Sequence, residues 1–361
     1  MPGRLVGDRP FTFDRSALAG AEAARSPRLE VRELVPEALP APDPEPADVE
    51  LADLHEFFRH PVRGFFRSRL HVSTPYDADE AKDSIPIDLD NLEQWAVGDR
   101  LVADVLGGAD PRSAMLAEQF RGLLPPQDLG VGVLDSVVRK VRPLVERALP
   151  LRAGPPRTLD VDIDLGDRRL TGTVGNVFGN NLVAVSFSNL GAKHRLAAWL
   201  DALALGAGHP DENWTAHTVG KHRTGGQVAM IRPLPEHQAR EWLRQLIDVH
   251  DRGQCEPLPL PVKTSLAYAE DYRFAMTGRD ADPDIKAERE WTTPRFNESG
   301  FPREDQDTWH VRAFGEHPPY SLLRSPLRGD ESGPAPHRLA HYAWLTWGPL
   351  LSDGHELVRS L

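Results

Sequence analysis

The segments TLDVDIDL (Thr158–Leu165), RRLTGTVGNV (Arg168–Val177) and LVAVSFS (Leu182–Ser188) decide the fold, because apolar and polar residues alternate along each of them. A period of two is that of a strand with one buried and one wet face. Gly179-Asn180-Asn181 supplies a turn between the second and third segments. Three consecutive strands are therefore expected. An amphipathic helix over Ala192–Leu205 follows, then two shorter strands, WTAHTVG (Trp214–Gly220) and QVAMIRPL (Gln227–Leu234), flanking a Gly-rich basic turn around Lys221–Gly226.

Upstream the period is helical. Asp48–Leu70 places Leu51, Leu54, Phe57, Phe58, Phe65, Phe66 and Leu70 at helical spacing around Pro61, which predicts a helix pair with one aromatic face. Leu92, Trp95, Leu101, Val102, Val105 and Leu106 mark one helix, and Asp110-Pro111 opens the next with proline in its first turn. A third runs from about Val131 to Leu149 on a face of Leu134, Val137, Val138, Val141, Leu144 and Val145, and Pro143 is expected to kink or interrupt it. Downstream, helices are expected over roughly Pro235–Asp251, Val262–Met276 and His337–Leu351, the last two separated by a loop-rich stretch from Glu290 to Pro336. Leu34–Pro46, rich in proline and acid, reads as a linker, and His71–Asp90 as an exposed loop. The resulting division is an irregular arm and linker over 1–47, a helical portion over 48–150, and an α/β core with C-terminal helices over 151–361. Residues 48–361 are also able to form a single body.

A chain of 361 residues can bury a sizeable core. Its 42 Lys plus Arg against 54 Asp plus Glu leave a net charge of -12, so the overall field repels a polyanion and any nucleic-acid contact must be local. The one cysteine, Cys255, excludes an intrachain disulfide framework and a cysteine-built metal site, and suits a reducing cytoplasm. Neither a signal peptide nor an apolar run of ~20 residues is visible. The opening phrase Arg9-Pro10-Phe11 shows no domain start, as in a piece of a longer protein.

Individual chemical signals are weak. Asp160, Asp162 and Asp164 share one face of a strand at ~7 Å intervals and could hold a hard cation, but a solvated face gives the same pattern. His337 and His341 have metal-ligand spacing yet lack a third ligand and a glutamate base, so surface histidines are the expectation. Gly130-Val131-Gly132 and Gly220-Lys221 are incomplete fragments of phosphate loops, and acids near Cys255 argue against a nucleophile. Lys221, His222 and Arg223 form a basic point on the predicted hairpin, and Arg59, Arg63 and Arg67 a basic helical stripe; either could touch phosphates.

The element order, helices then three strands then a helix then more strands, resembles the PD-(D/E)XK nuclease core. The pattern L-x-x-L-x-x-F-F-x-H-P-x-x-x-F-x-x-x-x-L over Leu51–Leu70 resembles the opening helix of RecB and AddB nuclease domains, with His60-Pro61 where the AddB group has the Cys-Pro of an iron-sulfur cluster. The G-x-I-D phrase of active members corresponds to Gly172-Thr173-Val174-Gly175, leaving Gly175 at the first metal-binding acid. Val185-Ser186-Phe187-Ser188 corresponds to the next strand, with Ser186 at the second acid and Ser188 at the lysine. The metal-binding helical histidine corresponds to Leu134, and the Gln-x-x-x-Tyr helix to Arg195 and Trp199. Neutral serine and glycine cannot replace carboxylates at a divalent ion.

With the phrases FFRHPVRGFFRSRL, LDNLEQWAVGDRLVADVL, GLLP and SNLGAKHRLAAWL, this loss resembles the C-terminal region of the RecC family, over nearly the whole chain from Pro10 onward. The resemblance implies a mixed-sheet, restriction-endonuclease-like α/β core that is not an enzyme by itself and holds no metal or cofactor. It implies RecB and RecD subunits and a double-stranded DNA end as partners, no membrane, a cytoplasmic location, and a role in double-strand-break repair and recombination through subunit assembly and strand splitting. The projection that splits strands would be the hairpin around Lys221–Gly226 or the loop His71–Asp83. The competing expectation is an active metal-dependent nuclease with differently placed ligands, Asp160, Asp162 or Asp164 among them.

Overall fold

The computed structural model describes residues 14–25, 34–42, 47–73, 89–222, 225–294 and 302–361. Helix α1 (Arg15–Arg25) lies within the stretch read as an irregular arm; alanine-rich and exposed, it owes its form to local propensity. Leu34–Pro42 is irregular as expected, but it is bound to the body: Leu39 N–H donates to Cys255 O at 2.8 Å, and Val35 and Leu39 join an apolar cluster with Phe65, Phe66 and Trp309.

Strand β1 (Val49–Glu50) leads into α2 (Leu51–Arg59), which turns at His60 into α3 (Pro61–Gly64) and a π-helical turn, Phe65–Arg69. Proline sits at the first position of α3, where its missing N–H costs nothing. Helices α4 (Asn91–Leu106) and α5 (Pro111–Phe120) begin at Asp90 and Asp110, whose carboxylates cap them. Helix α6 (Gln127–Ala148) runs through Pro143, so of the expected kink or interruption the interruption does not occur. The carbonyl that Pro143 leaves unpaired belongs to Arg139, an exposed residue, so water can satisfy it.

The three alternating segments form β2 (Arg157–Asp164), β3 (Arg169–Phe178) and β4 (Asn181–Asn189), followed by α7 (Ala192–Gly208), β5 (Thr215–His222) and β6 (Gly225–Ile231). Helices α8 (Glu236–Cys255), α9 (Val262–Met276) and α10 (Pro283–Trp291) come next, and the region expected to be loop-rich holds two short helices, α11 (Thr308–Phe314) and α12 (Tyr320–Leu323), among loops. Helix α13 (Arg338–Leu351) precedes β7 (Glu356–Ser360), a strand where only helices were expected.

The sheet is mixed, in the order β1-β3-β4-β5-β6-β7 with β2 on the outer side of β3. Its two faces are buried by different helices. Leu182, Ala216 and Ile231 point to the side of α7, α8, α9 and α13. Phe187, Val219 and Val228, of opposite parity on the same strands, point to α4 and α6. Helices from 48–150 thus share a core with strands from 151–361. Among the described residues no helix is long and apolar enough to cross a membrane.

Candidate nucleic-acid interface

Strand β3 is paired with β2 along its length, but its other side is shared. There β1 takes Leu170 and Thr171, while β4 takes Val177 and Phe178. Residues 172–176 between them have no strand neighbour on that side, and the gap opens into a groove beneath α2 and α7. Gly172 makes the gap possible: its φ is 155°, and a Cβ there would stand 2.8 Å from that of Leu51. A cavity of about 510 Å3 reaching Gly175 shares His55, Thr173, Ser186 and His194 with one of about 710 Å3. The latter shares Arg59, Ser188, Lys193 and His194 with a third of about 920 Å3, so the three form one channel.

Gly175, Ser186 and Ser188, far apart in chemistry from the carboxylates and lysine of an active nuclease, are thereby brought to one groove. Ser188 Oγ accepts the indole N–H of Trp95 at 2.9 Å, and Ser186 Oγ accepts the Ser188 N–H at 3.2 Å. The other two candidates lie elsewhere. Leu134 is 1 % exposed in the core of α6, against the opposite face of the sheet. Arg195 is buried in a charge cluster: it grips Glu356 of β7 through Nε (2.9 Å) and Nη2 (2.5 Å) and reaches Glu270 at 2.8 Å. Trp199, one turn on, is fully buried beside Trp242.

Among the basic candidates, Arg63 and Arg67 both bind Glu56, at 3.1 and 2.7 Å, which neutralises that part of the stripe. Lys221 lies over the Phe187 ring at 4.0 Å rather than reaching outward, and burial beside Lys140 holds its pKa below the ordinary range. His222 is exposed; Arg223 lies outside the described residues, as does the loop after Ser73.

The sequence did not single out Lys193, Lys263 or His194. Together with Arg59 they line the groove from three helices. Lys193 is held below its ordinary pKa by burial and by the charges of Arg59 and Lys263. His194 is lowered to about 4, by burial first and then by Lys193 and Arg59, and its buried Nδ1 has no hydrogen-bond partner. Among the described residues no acid pairs with Arg59, Lys193 or Lys263. Most acids of the groove are engaged: Glu56 as above, Asp201 with His55 at 2.8 Å, Glu270 with Arg195, and Glu304 with the backbone N–H groups of Lys263 and Thr264, whereas Glu50 and Glu290 also line it as carboxylates.

His60, Asp307 and His310 stand close enough to share an ion at the far end. Their hydrogen bonds favour a different role. His60 Nδ1 accepts the Arg63 N–H, so its Nε2 carries the proton given to Asp307 at 2.8 Å, and His310 Nδ1 donates to Glu304 O at 2.7 Å. The nitrogens nearest Asp307 are thus protonated, and the cluster ties α3 to α11.

Remaining sequence signals are structural. Asp160, Asp162 and Asp164 are all exposed, Asp162 paired with Arg169 and Asp164 with the Gly166 N–H. His337 is buried, not superficial: its Nδ1 caps α13 by accepting the Ala340 N–H, while His341 is half-buried further along. Gly130-Val131-Gly132 is inside α6 and Gly220-Lys221 inside β5, so neither is a loop. Burial raises the Cys255 thiol pKa.

The family described as RecC C-terminal domain matches residues 46–273. The RecBCD enzyme subunit RecC of Mycobacterium tuberculosis is 42% identical over 353 residues, 97% of this chain and 31% of that protein. The subunit of the same name from Mycolicibacterium smegmatis gives the same identity and coverage. That of Escherichia coli is 23% identical over 288 residues, 78% of this chain and 25% of that protein. The chain spans about a third of the length of its mycobacterial relatives, as 31% coverage states.

Proposed function

Since this chain belongs to the RecC C-terminal domain family, we propose that it is a non-catalytic portion of a RecC subunit, built on a degenerate PD-(D/E)XK nuclease plan. It would act in double-strand-break repair and recombination by holding RecB and RecD and by helping to part a DNA end, in the cytoplasm. The observation that carries this reading is the neutral groove floor: Gly175, Ser186 and Ser188 converge there, and none offers a carboxylate. Divalent ions in phosphodiester cleavage need several free charged oxygens; with Asp201 tied to His55 and Glu56 to two arginines, Glu50 is left as a single carboxylate lining the cavity of Ser186 and Ser188. The active-nuclease alternative loses ground because Asp160, Asp162 and Asp164 face solvent on the outer strand. A partner role is supported by exposed apolar side chains on α4–α6 and their connection, Leu92, Leu116, Phe120, Leu123 and Leu129, of which Phe120 is 86% exposed. The projection for strand splitting is assigned to the β5–β6 hairpin or to residues 71–83.

Calorimetric titration with Mg2+ and Mn2+ beside a nuclease assay on linear DNA tests the first part, and pull-down of RecB and RecD the second. The reading expects no stoichiometric ion, no cleavage, and capture of the partners. One bound ion with DNA cutting would overturn it.

A further inference from the structure

We propose that the groove between β1 and β4 is a binding site for the phosphodiester backbone of a single DNA strand, held by Arg59, Lys193 and Lys263 without being cut. This deepens the non-catalytic reading by naming what the emptied site still binds. The first argument is charge. In a protein of net charge -12, Arg59, Lys193 and Lys263 from α2, α7 and α9 line one concavity with no acid paired to them among the described residues; Asp201 and Glu270 are bound to His55 and Arg195, Glu304 to backbone N–H groups of α9, and Glu50 and Glu290, which also line it, are matched in number by Arg289 and Arg303. Lys193 is depressed first by burial and then by the like charges of Arg59 and Lys263, so gathering cations in this half-buried cleft carries a cost. An anion in the groove would relieve it.

The second argument is the floor. With glycine and two serines where carboxylates would stand, a phosphate meets hydroxyls and a backbone instead of like charge. Binding therefore needs no bridging metal. The third is shape and stacking: the channel continues over three joined cavities, and half-buried Trp95 stands in its wall beside Ser186 and Ser188, offering an aromatic surface to an unpaired base. Cations along a groove with an aromatic wall are the means by which single strands are held without sequence preference.

The test is fluorescence anisotropy of a labelled thymidine 20-mer with the full chain in EDTA at about 50 mM salt, conditions in which cleavage cannot contribute. The triple variant R59E/K193E/K263E is compared with R112E/R139E/R142E, which changes charge equally at exposed sites on the helices of the opposite face. Circular dichroism checks that both are folded. The expected result is binding by wild type and by the control, at least ten-fold loss in the groove variant, and a salt dependence shallower by about 2 logarithmic units per decade, from three lost phosphate contacts. Blunt duplex should compete poorly, and inorganic phosphate at matched ionic strength no better than chloride. No binding by wild type, or equal losses in the two variants, would overturn the proposal; so would displacement by inorganic phosphate alone, which would make this a simple anion site. Metal-dependent cleavage would sink the non-catalytic reading and leave the binding result intact.

Discussion

Replacing Arg195 with methionine should destabilise the protein by about 3–5 kcal/mol, because it leaves Glu356 buried and unpaired. Arg195 is 8% exposed, and the Glu356 side chain 3%, so water cannot replace the two guanidinium hydrogen bonds. Glu270, 36% exposed, can be resolvated and should contribute only ~0–1 kcal/mol. Methionine keeps much of the apolar stem, which confines the loss to charge. With a urea slope of roughly 3 kcal/mol per molar, the midpoint should fall by about 1–1.7 M. Tryptophan fluorescence is a suitable signal, since Trp199 lies one turn along α7 from Arg195, its ring centroid 5.4 Å from that of Trp242 on α8. The decisive comparison is the double variant R195M/E356M. Removing both charges should recover most of the loss, giving a coupling of about 2–4 kcal/mol. A single variant losing less than about 1 kcal/mol, or a double variant no better than the single, would refute the assignment of this arginine as the clamp between α7 and β7.

Gly98→Ala should cost about 1–3 kcal/mol in the same assay, because a Cβ there would lie 2.1 Å from the Phe187 ring. Gly132→Ala, in α6 with nothing within 4 Å, should stabilise by about 0.5–1 kcal/mol; equal effects of the two alanines would contradict the packing of α4 on β4. His194 makes stability depend on pH. Its folded pKa of about 4 lies below its ordinary 6.5, so the unfolded chain takes up the proton first. The stabilisation is therefore complete above about pH 6.5 and is lost as pH falls toward 4, by about 1–2 kcal/mol once partial solvent exposure is allowed for. In His194→Gln the difference between urea midpoints at pH 7 and pH 5 should narrow; parallel curves for the two proteins would count against it.

The strands from Arg157 to Asn189 were legible because each has one wet face, so burial writes itself into the sequence as alternation. Strand β7 was not. Its residues Glu356–Ser360 are mostly exposed at the sheet edge, and what fixes them is pairing with β6 and the hold of Arg195, 161 positions away, on Glu356. Helices α10–α12 are short, and their stability comes from contacts such as the Trp291 indole N–H on Pro318 O rather than from periodicity. Pro143 failed as a helix breaker because its penalty depends on whether the orphaned carbonyl sees water, which a pattern of residue types does not encode.

The candidate site divides along the same line. Gly175, Ser186 and Ser188 were legible because they sit at fixed steps on two consecutive strands, where register follows from the turn that joins them. Leu134 and Arg195 belong to helices, whose rotation against the sheet is set by packing. The first proved to face the other side and the second to be sealed by acids from α9 and β7. Arg59, Lys193 and Lys263 are separated by 134 and 70 positions; Arg59 was legible as part of a basic stripe, but Lys193 and Lys263 are marked locally only as polar residues on helices. They become one site because β3 gives half of one edge to β1 and half to β4, opening a gap that their helices border. Which residues share this groove is therefore decided by a pairing choice in the sheet, and on the proposed reading a floor of glycine and serine suits it to holding a strand rather than cutting one.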